Sequence, residues 1–413
     1  MLTMQRADFE ALDRIDPLAP LRDKFLLPSG VIYLDGNSLG ALPRSTAHRL
    51  SRVIEQEWGE DLIGSWNRHG WMAMPERVGS KIARLIGADA SEVVVAESTS
   101  INLFKVLAAA LKMRPQRRVI VSETESFPTD LYMVEGLAEL LDQGHTLRLV
   151  AAADLVQALD SAAAVLLLTH VNFRTGAMHD MAALTAAAHA AGAFAIWDLA
   201  HSAGAVPVDL DGARADFAVG CGYKYLNGGP GAPAFVYAAA RHHGQAPQPL
   251  YGWLGHAAPF EFAAGYRPGP GIRQYVVSSP PILSMAALEE GVDLLMQVDM
   301  TELRAKSVAL TDAFIARVEA RCAGLGLTLA TPRDSARRGS HVSFAHEHAY
   351  ALMQALIARG VVGDFRTPDL IRFGFTPLYT RHVDAWDAAE ILRDVLVSGA
   401  WRRPEFQTRA AVT

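Results

Sequence analysis

The sequence has 413 residues, of which 50% are hydrophobic, so the chain can bury a large core and divide into more than one domain. Because no apolar run reaches the roughly eighteen residues of a membrane span and the N-terminus lacks a signal-peptide core, we expect a cytoplasmic protein without membrane partners. A net charge of −6 with scattered basic residues argues against nucleic-acid binding, and the two cysteines, Cys221 and Cys322, indicate neither disulfides nor a metal site.

The first elements lead to a polar turn between two glycines. A helix is predicted over 7–23 and a strand over 31–34, and the strand runs into Asn37 and Ser38. Flanking glycines let the backbone come close to a ligand, although a tight turn before the next helix explains the same residues. A further stretch, 58–71, holds three tryptophans, which pack into the core, across an interface or around a substrate.

The next predicted strand, 92–97, is followed by hydroxyl side chains that open a helix over 101–112. Thr99 and Ser100 would stand at the helix N-terminus, where free N–H groups and the positive end of the helix dipole attract phosphate. Ordinary N-capping by these hydroxyls is the alternative, and both interpretations can hold together.

Two later strands also end in polar or aromatic residues. After the strand at 118–122, Phe127 is placed to cover one face of a planar ring and Asp130 to reach its edge, although the segment is also a good helix start. The strand at 165–168 delivers Thr169 to the sheet edge at which the strand that ends in Asp198 also stops.

The central stretch of the chain carries a carboxylate and a lysine that match the needs of one cofactor. A buried strand ends in Asp198, His201 follows three residues on, and a second strand leads to Tyr223 and Lys224 before a glycine-rich loop. Pyridoxal 5′-phosphate needs a lysine for its aldehyde and a carboxylate against its ring nitrogen. A helix-capping aspartate and a surface lysine are the alternative, yet the order of residues favours the cofactor, with His201 stacking on or bracing the ring.

Strands and helices alternate up to Lys224, which predicts a parallel sheet covered on both faces. The expected fold is α/β, a mostly parallel seven-stranded sheet covered by helices, with a smaller C-terminal α+β domain. The expected boundaries are 1–60 for an N-terminal arm that completes the small domain and the active site, 61–298 for the large cofactor-binding domain and 299–413 for the small domain.

The small domain carries an arginine that needs an anionic partner. Arg372 lies on a short apolar strand, where a guanidinium is costly to bury alone. Its fork geometry suits a substrate α-carboxylate, and a structural ion pair is an equal alternative.

The motifs together resemble fold-type I pyridoxal-phosphate enzymes and, among these, kynureninases. Asp198 to His201 and Tyr223 to Gly231 carry the resemblance, since desulfurases of this superfamily usually have histidine where Tyr223 stands. Three further motifs, at 35–40, 127–130 and 252–256, also resemble segments of kynureninases and occur in the order expected for that family. The resemblance implies hydrolysis of L-kynurenine, with 3-hydroxykynurenine as a second candidate substrate, to anthranilate or 3-hydroxyanthranilate and L-alanine in tryptophan catabolism. It also implies a homodimer with active sites at the interface.

The resemblance implies catalytic roles for Lys224, Tyr223 and Asp198, and substrate contacts for Arg372, Ser38 and Asn37. It implies that the cofactor is held by Thr99, Ser100, Phe127, Asp130, Thr169, Asp198, His201, Tyr223, Lys224, Trp253 and Ser279. Trp253 is expected to reach the phosphate of a partner subunit. The assignment of Ser279 departs from the family pattern, which has asparagine or threonine there.

Two other functions are compatible with the fold. A cysteine desulfurase or selenocysteine lyase needs a mobile cysteine, whereas Cys221 follows a predicted strand and Cys322 a predicted helix. A catalytically silent protein would have no need to keep Lys224, Asp198 and Arg372, all of which are present.

Overall fold

The computed structural model describes residues 5–409, and the chain divides into two compact units. The larger unit contains Thr46–Phe173 and His179–Met296. The smaller unit contains the N-terminal residues up to Ser45, Arg174–Met178 and the chain from Gln297 onward. The domain boundaries predicted from the sequence, after residues 60 and 298, remain predictions.

The larger unit is built on a seven-stranded sheet. Its strands are β1 (Val93–Val95), β2 (Val119–Glu123), β3 (Thr146–Val150), β4 (Ala163–Thr169), β5 (Phe194–Asp198), β6 (Phe217–Gly220) and β7 (Phe235–Ala238). Their order is β1-β7-β6-β5-β4-β2-β3, and only β7 pairs antiparallel with its neighbours. The predicted mostly parallel seven-stranded sheet is confirmed.

Strand composition explains why both faces of this sheet are covered. Every residue of β1, β4, β5, β6 and β7 is buried, and these strands are continuous apolar runs without polar alternation. The flanking helices of the unit are Met74–Leu85, Thr99–Met113, Pro128–Leu141, Leu155–Ala158, Met181–Ala191 and Ile282–Leu295. Parallel pairing places Thr169 opposite Asp198 and Asp198 opposite Val219, so the ends of β4, β5 and β6 lie side by side.

The smaller unit contains a four-stranded antiparallel sheet and four long helices. The strands are β8 (Thr328–Leu329), β9 (His341–Ala345), β10 (Asp364–Arg366) and β11 (Leu370–Gly374), in the order β8-β9-β11-β10. The helices are Arg6–Ile15, Met300–Arg321, Ala349–Ile357 and His382–Ser398. Phe314 anchors the core, with ring centroids 5.0 Å from Phe373 and 5.2 Å from Phe375.

Several predicted elements differ from the observed ones. The helix expected over 7–23 ends at Ile15, because Pro17 and Pro20 cannot continue it, and Ala19–Lys24 forms a 3-10 turn. The helix expected after the turn at Asn37 and Ser38 runs from Arg44 to Arg52 and continues as a π-helix over Val53–Glu60. The helix His382–Ser398 was not among the predicted elements. Within residues 5–409, no helix is long and apolar enough to cross a membrane.

Candidate active site

Lys224 lies in the turn that follows β6, in the larger unit. The turn is tight, because a Cβ added at Gly222 would lie only 2.4 Å from the carbonyl oxygen of Pro233. Lys224 Nζ lies 3.1 Å from His201 Nε2 and 5.9 Å from the centroid of the Phe127 ring. The lysine, the histidine and the aromatic ring predicted from separate segments are therefore neighbours.

Asp198 ends β5 and is 3% exposed. Its Oδ1 accepts a hydrogen bond from the backbone N–H of Ala200 at 2.8 Å, which fixes the carboxyl group at the end of the strand. Asp130, which is also buried, faces it at hydrogen-bonding range. Two acids thus meet beside one lysine.

Burial and proximity set the charges of this acid pair. Burial, and then the charge of Asp198, raise the pKa of Asp130 well above its ordinary value. Burial also raises the pKa of Asp198, but the charge of Lys224 and the hydrogen bond from Asp130 oppose this. The pair therefore retains one proton, on Asp130, and Asp198 is the more acidic partner.

The N-terminus of the helix Thr99–Met113 borders the same pocket. Ser98 is the N-cap, and its Oγ accepts from the backbone N–H of Ile101 at 3.4 Å. Thr99 and Ser100 occupy the first turn, where backbone N–H groups lack partners within the helix. This end of a 15-residue helix suits an anion such as phosphate.

One pocket collects the predicted cofactor residues. It is lined by Thr99, Ser100, Phe127, Thr129, Asp130, Thr169, Phe173, Asp198, Ala200, His201, Tyr223 and Lys224. Phe127 packs edge-on against Phe173 with centroids 5.2 Å apart, and Thr169 Oγ1 lies 3.3 Å from Ser126 Oγ. Phe173 was missed in the sequence, although its place after the polar end of a strand could have indicated it.

Two predicted cofactor residues lie elsewhere. Ser279 lines a larger neighbouring cavity, which shares Tyr223 with the lysine pocket. Trp253 borders a separate surface cavity and packs edge-on against Phe260, with centroids 5.7 Å apart. Within a single chain, neither residue lines the pocket of Lys224, and the predicted contact of Trp253 with a partner subunit stays a prediction.

The three predicted substrate residues meet in the smaller unit, around Arg372. Arg372 and Asp364 are each 1% exposed, and Arg372 Nε donates to Asp364 Oδ1 at 2.8 Å. Ser38 Oγ accepts from Arg372 Nη2 at 2.9 Å. With the amide of Asn37 oriented to satisfy its neighbours, its oxygen accepts from Arg372 Nε at 2.8 Å. Arg372 therefore has the structural ion pair that the sequence left open as an alternative to a substrate carboxylate.

The other charged members of this cluster, Asp35, Asp364 and Arg366, were not singled out from the sequence. The pairing of β10 with β11 places Asp364 opposite Arg372. Burial raises the pKa of Asp364, but the charge and hydrogen bond of Arg372 outweigh it and lower that pKa to about 2. Burial, and then the charge of Asp364, raise the pKa of Asp35 to about 7.

Comparisons with known proteins agree with one another. The family described as kynureninase C-terminal domain matches residues 303–392. A kynureninase from Burkholderia mallei (strain SAVP1) is 59% identical over 413 residues, with 99% of each chain covered. A kynureninase from Pseudomonas fluorescens is 57% identical with the same coverage.

Solved structures with the same fold are more distant in sequence. A cysteine desulfurase from Thermococcus onnurineus NA1 has a TM-score of 0.78 at 18% identity, covering 92% of this chain and 98% of the other. A C-DES mutant with glycine covalently linked to the PLP cofactor has a TM-score of 0.74 at 17% identity, covering 94% and 99%. At such identities the likeness supports the fold alone.

Proposed function

The chain belongs to the kynureninase family, and from this premise we propose how its own residues carry out the reaction. It is a pyridoxal-phosphate enzyme that hydrolyses L-kynurenine to anthranilate and L-alanine. The observation that carries the proposal is the single pocket that holds Lys224, Asp198 and the start of the helix Thr99–Met113.

The residues of this pocket fit pyridoxal 5′-phosphate. Thr99 and Ser100 would hold the phosphate, Lys224 the aldehyde end and Asp198 the ring nitrogen. The lysine, the buried carboxylate and the helix N-terminus supply the charges that the aldehyde, the ring nitrogen and the phosphate of this cofactor require. When bound, the cofactor supplies an electron-withdrawing ring that stabilises negative charge at the substrate α-carbon.

Lys224 is the proposed base that removes the proton from the substrate α-carbon. A lysine amine must be uncharged to do so, and His201 Nε2, 3.1 Å away, is placed to exchange a proton with it. Asp198 contributes a carboxylate that keeps a proton on the ring nitrogen, and the proton on Asp130 lets Asp198 stay ionised.

Tyr223 is proposed either to donate a proton to the substrate Cβ once the Cβ–Cγ bond has broken, or to hydrogen-bond to the cofactor phosphate. It lines both the lysine pocket and the larger cavity beside it, so its ring lies between the two spaces. That cavity has mainly apolar walls, interrupted by the carboxylate of Glu97 and by the hydroxyl groups of Ser98, Ser278 and Ser279, and we assign it to the aryl part of the substrate. Space of this kind also suits 3-hydroxykynurenine.

Arg372 is the proposed partner of the substrate α-carboxylate, with Asn37 and Ser38 holding its guanidinium. The three residues lie on two separate segments of the smaller unit, and their contacts fix the plane of the guanidinium before substrate binds. A fixed guanidinium loses little entropy when it pairs with a planar carboxylate.

A desulfurase function receives no support from either cysteine. Cys221 and Cys322 are 3% and 4% exposed. Burial raises the pKa of the Cys221 thiol, and burial, followed by the charge of Glu390, raises that of Cys322 to about 11. Both thiols are therefore protonated at neutral pH, and neither is placed as a nucleophilic acceptor of sulfur.

A cytoplasmic homodimer is the proposed working form. Two buried thiols without a disulfide suit a reducing compartment. Trp58, Leu62 and Ile63 are exposed at 58%, 61% and 81%, and apolar exposure of this size is typical of a surface covered by another chain.

The direct test is to mix the purified protein, loaded with pyridoxal 5′-phosphate, with L-kynurenine and to follow anthranilate fluorescence. Wild-type protein and a Lys112→Ala control, which changes an exposed lysine, produce anthranilate, whereas Lys224→Ala does not. A parallel assay with L-cysteine that released sulfide in place of anthranilate formation would support the desulfurase instead.

A further inference from the structure

Arg366 is a second arginine beside Arg372. Its Nη2 donates to Asp364 Oδ2 at 2.6 Å and to Ser38 Oγ at 3.1 Å, so both arginines share the same acid and the same hydroxyl. The two differ in exposure, because the side chain of Arg366 is 33% exposed and that of Arg372 only 1%. Arg366 is thus the arginine of this cluster that a ligand from solvent meets first.

The charges of the cluster do not cancel. Asp364 is ionised, since the charge of Arg372 keeps its pKa low despite burial, and it neutralises one of the two arginines. Asp35 remains largely uncharged below neutral pH, because burial and then the charge of Asp364 raise its pKa to about 7. Arg372 with Asp364 alone would form a neutral pair with little attraction for an anion, and Arg366 supplies the excess positive charge.

One donor of Arg366 also lacks an acceptor. Its Nε is buried and has no hydrogen-bond partner within residues 5–409. A buried charged donor without an acceptor is costly, so this Nε–H is available to an acceptor supplied by a ligand. An ionised oxygen, such as one of a carboxylate, is the acceptor that forms the strongest hydrogen bond with a charged N–H donor.

We propose that Arg366 binds the substrate α-carboxylate together with Arg372, and that Asp364 is a positioning residue that holds the two guanidinium groups side by side. The proposal rests on the proposed function, because it assigns this cluster to the carboxylate of an amino-acid substrate. Arg366 is then a second cation in the site. The ion pair with Asp364 orients Arg372, and Arg366 supplies the net positive charge that attracts the carboxylate.

Substrates with and without a carboxylate test this assignment. Arg366→Gln raises the KM for L-kynurenine about 10- to 100-fold, as expected for the loss of one charge-assisted hydrogen bond, and changes the KM for L-kynurenine α-carboxamide by less than about 3-fold. Arg366→Lys keeps the charge but not the planar fork, and its KM for L-kynurenine lies between those of wild type and Arg366→Gln. A purely structural role would raise both KM values in parallel, and that result would overturn the proposal.

A binding measurement separates this proposal from the proposed function. The visible absorption of cofactor-loaded protein is titrated with L-alanine and with L-alaninamide, and the ratio of the two Kd values is compared between variants. Arg366→Gln brings the ratio close to one, while Arg321→Gln, which removes an exposed partner of Glu390 in the same unit, leaves it at the wild-type value. If the wild-type protein formed no anthranilate, the proposed function would fail. The carboxylate site would still be supported if the wild-type protein bound L-alanine more tightly than L-alaninamide and Arg366→Gln did not. An unchanged ratio in Arg366→Gln overturns it.

Discussion

Two buried acid pairs, one in each unit, differ in the cations around them. Asp130 and Asp198 lie beside a single lysine, Lys224, so negative charge is in excess and the pair keeps a proton. Asp35 and Asp364 lie beside Arg366 and Arg372, so positive charge is in excess once Asp35 is protonated. The sign of the excess indicates the ligand: a protonated ring nitrogen for the first pair and a carboxylate for the second.

The largest expected effect is a difference in kcat between variants of the two acids of the first pair. Asp198→Asn removes the negative charge that we propose for the ring nitrogen and lowers kcat about 100- to 1000-fold, as expected for one lost electrostatic contact in an active site. Asp130→Asn replaces a protonated acid by a group of similar shape and lowers kcat much less. Steady-state kinetics of both variants check this. Equal losses would show that the proton is not confined to Asp130.

The second pair is expected to matter more for folding. Asp364→Asn leaves Arg372 buried without its anionic partner, which costs about 3–5 kcal/mol of unfolding free energy. Urea unfolding of the variant measures this loss, and Asp387→Asn, which removes an exposed partner of Arg6, serves as the control. A change in the unfolding free energy no larger than that of the control would mean that Ser38 and Asn37 suffice to hold Arg372.

Close backbone packing around the second pair gives a smaller effect. A Cβ added at Gly374 would lie 1.7 Å from the side-chain amide group of Asn37, so Gly374→Ala pushes that amide away from Arg372. We expect a loss of about 1–3 kcal/mol in stability, the usual range for overpacking, together with a raised KM for L-kynurenine. Gly144→Ala is a control at a glycine with open space, although its φ of 74° adds strain of its own. A KM equal to that of wild type would contradict the role given to Asn37.

The smallest expected effect is a pH dependence of stability that arises from Asp35. Its pKa is raised in the folded chain from the ordinary 3.8 to about 7, so the folded state binds more protons between these values and stability falls as the pH rises. The groups that act on Asp35 are Asp364, Arg372, Arg366, Ser38, Tyr33 and Tyr379. Asp35→Asn removes this contribution, so the variant gains stability relative to wild type from pH 4 to pH 8. Chemical denaturation at several pH values measures the difference, and a constant difference would contradict the raised pKa.

The first region was largely predictable from sequence, whereas in the second only Arg372, Asn37 and Ser38 were singled out. Lys224 and Asp198 each follow a continuous apolar strand, and parallel strands bring such positions to one sheet edge. Asp364 and Arg366 alternate along a three-residue strand, which resembles any exposed edge. Their partner Ser38 is 326 positions from Asp364 in the chain, and nothing local indicates that contact.

The unpredicted helix has a similar physical reason. His382–Ser398 begins with buried polar side chains, His382 and Asp384, which interrupt the apolar pattern of a helix face. These side chains are satisfied by tertiary contacts, since His382 Nδ1 lies 3.0 Å from Asp13 Oδ1 and Asp384 Oδ2 accepts from Arg22 Nη1 at 3.2 Å. Contacts of this kind are invisible to periodicity, which detects only the repeat of apolar positions.

The most direct test of the account is the identity of the lysine that carries the cofactor. Protein loaded with pyridoxal 5′-phosphate is reduced with borohydride and digested, and the modified peptide is identified by mass spectrometry. We expect one phosphopyridoxyl group, on Lys224. A label on another lysine, or none, would contradict the placement of the active site between Lys224 and Asp198.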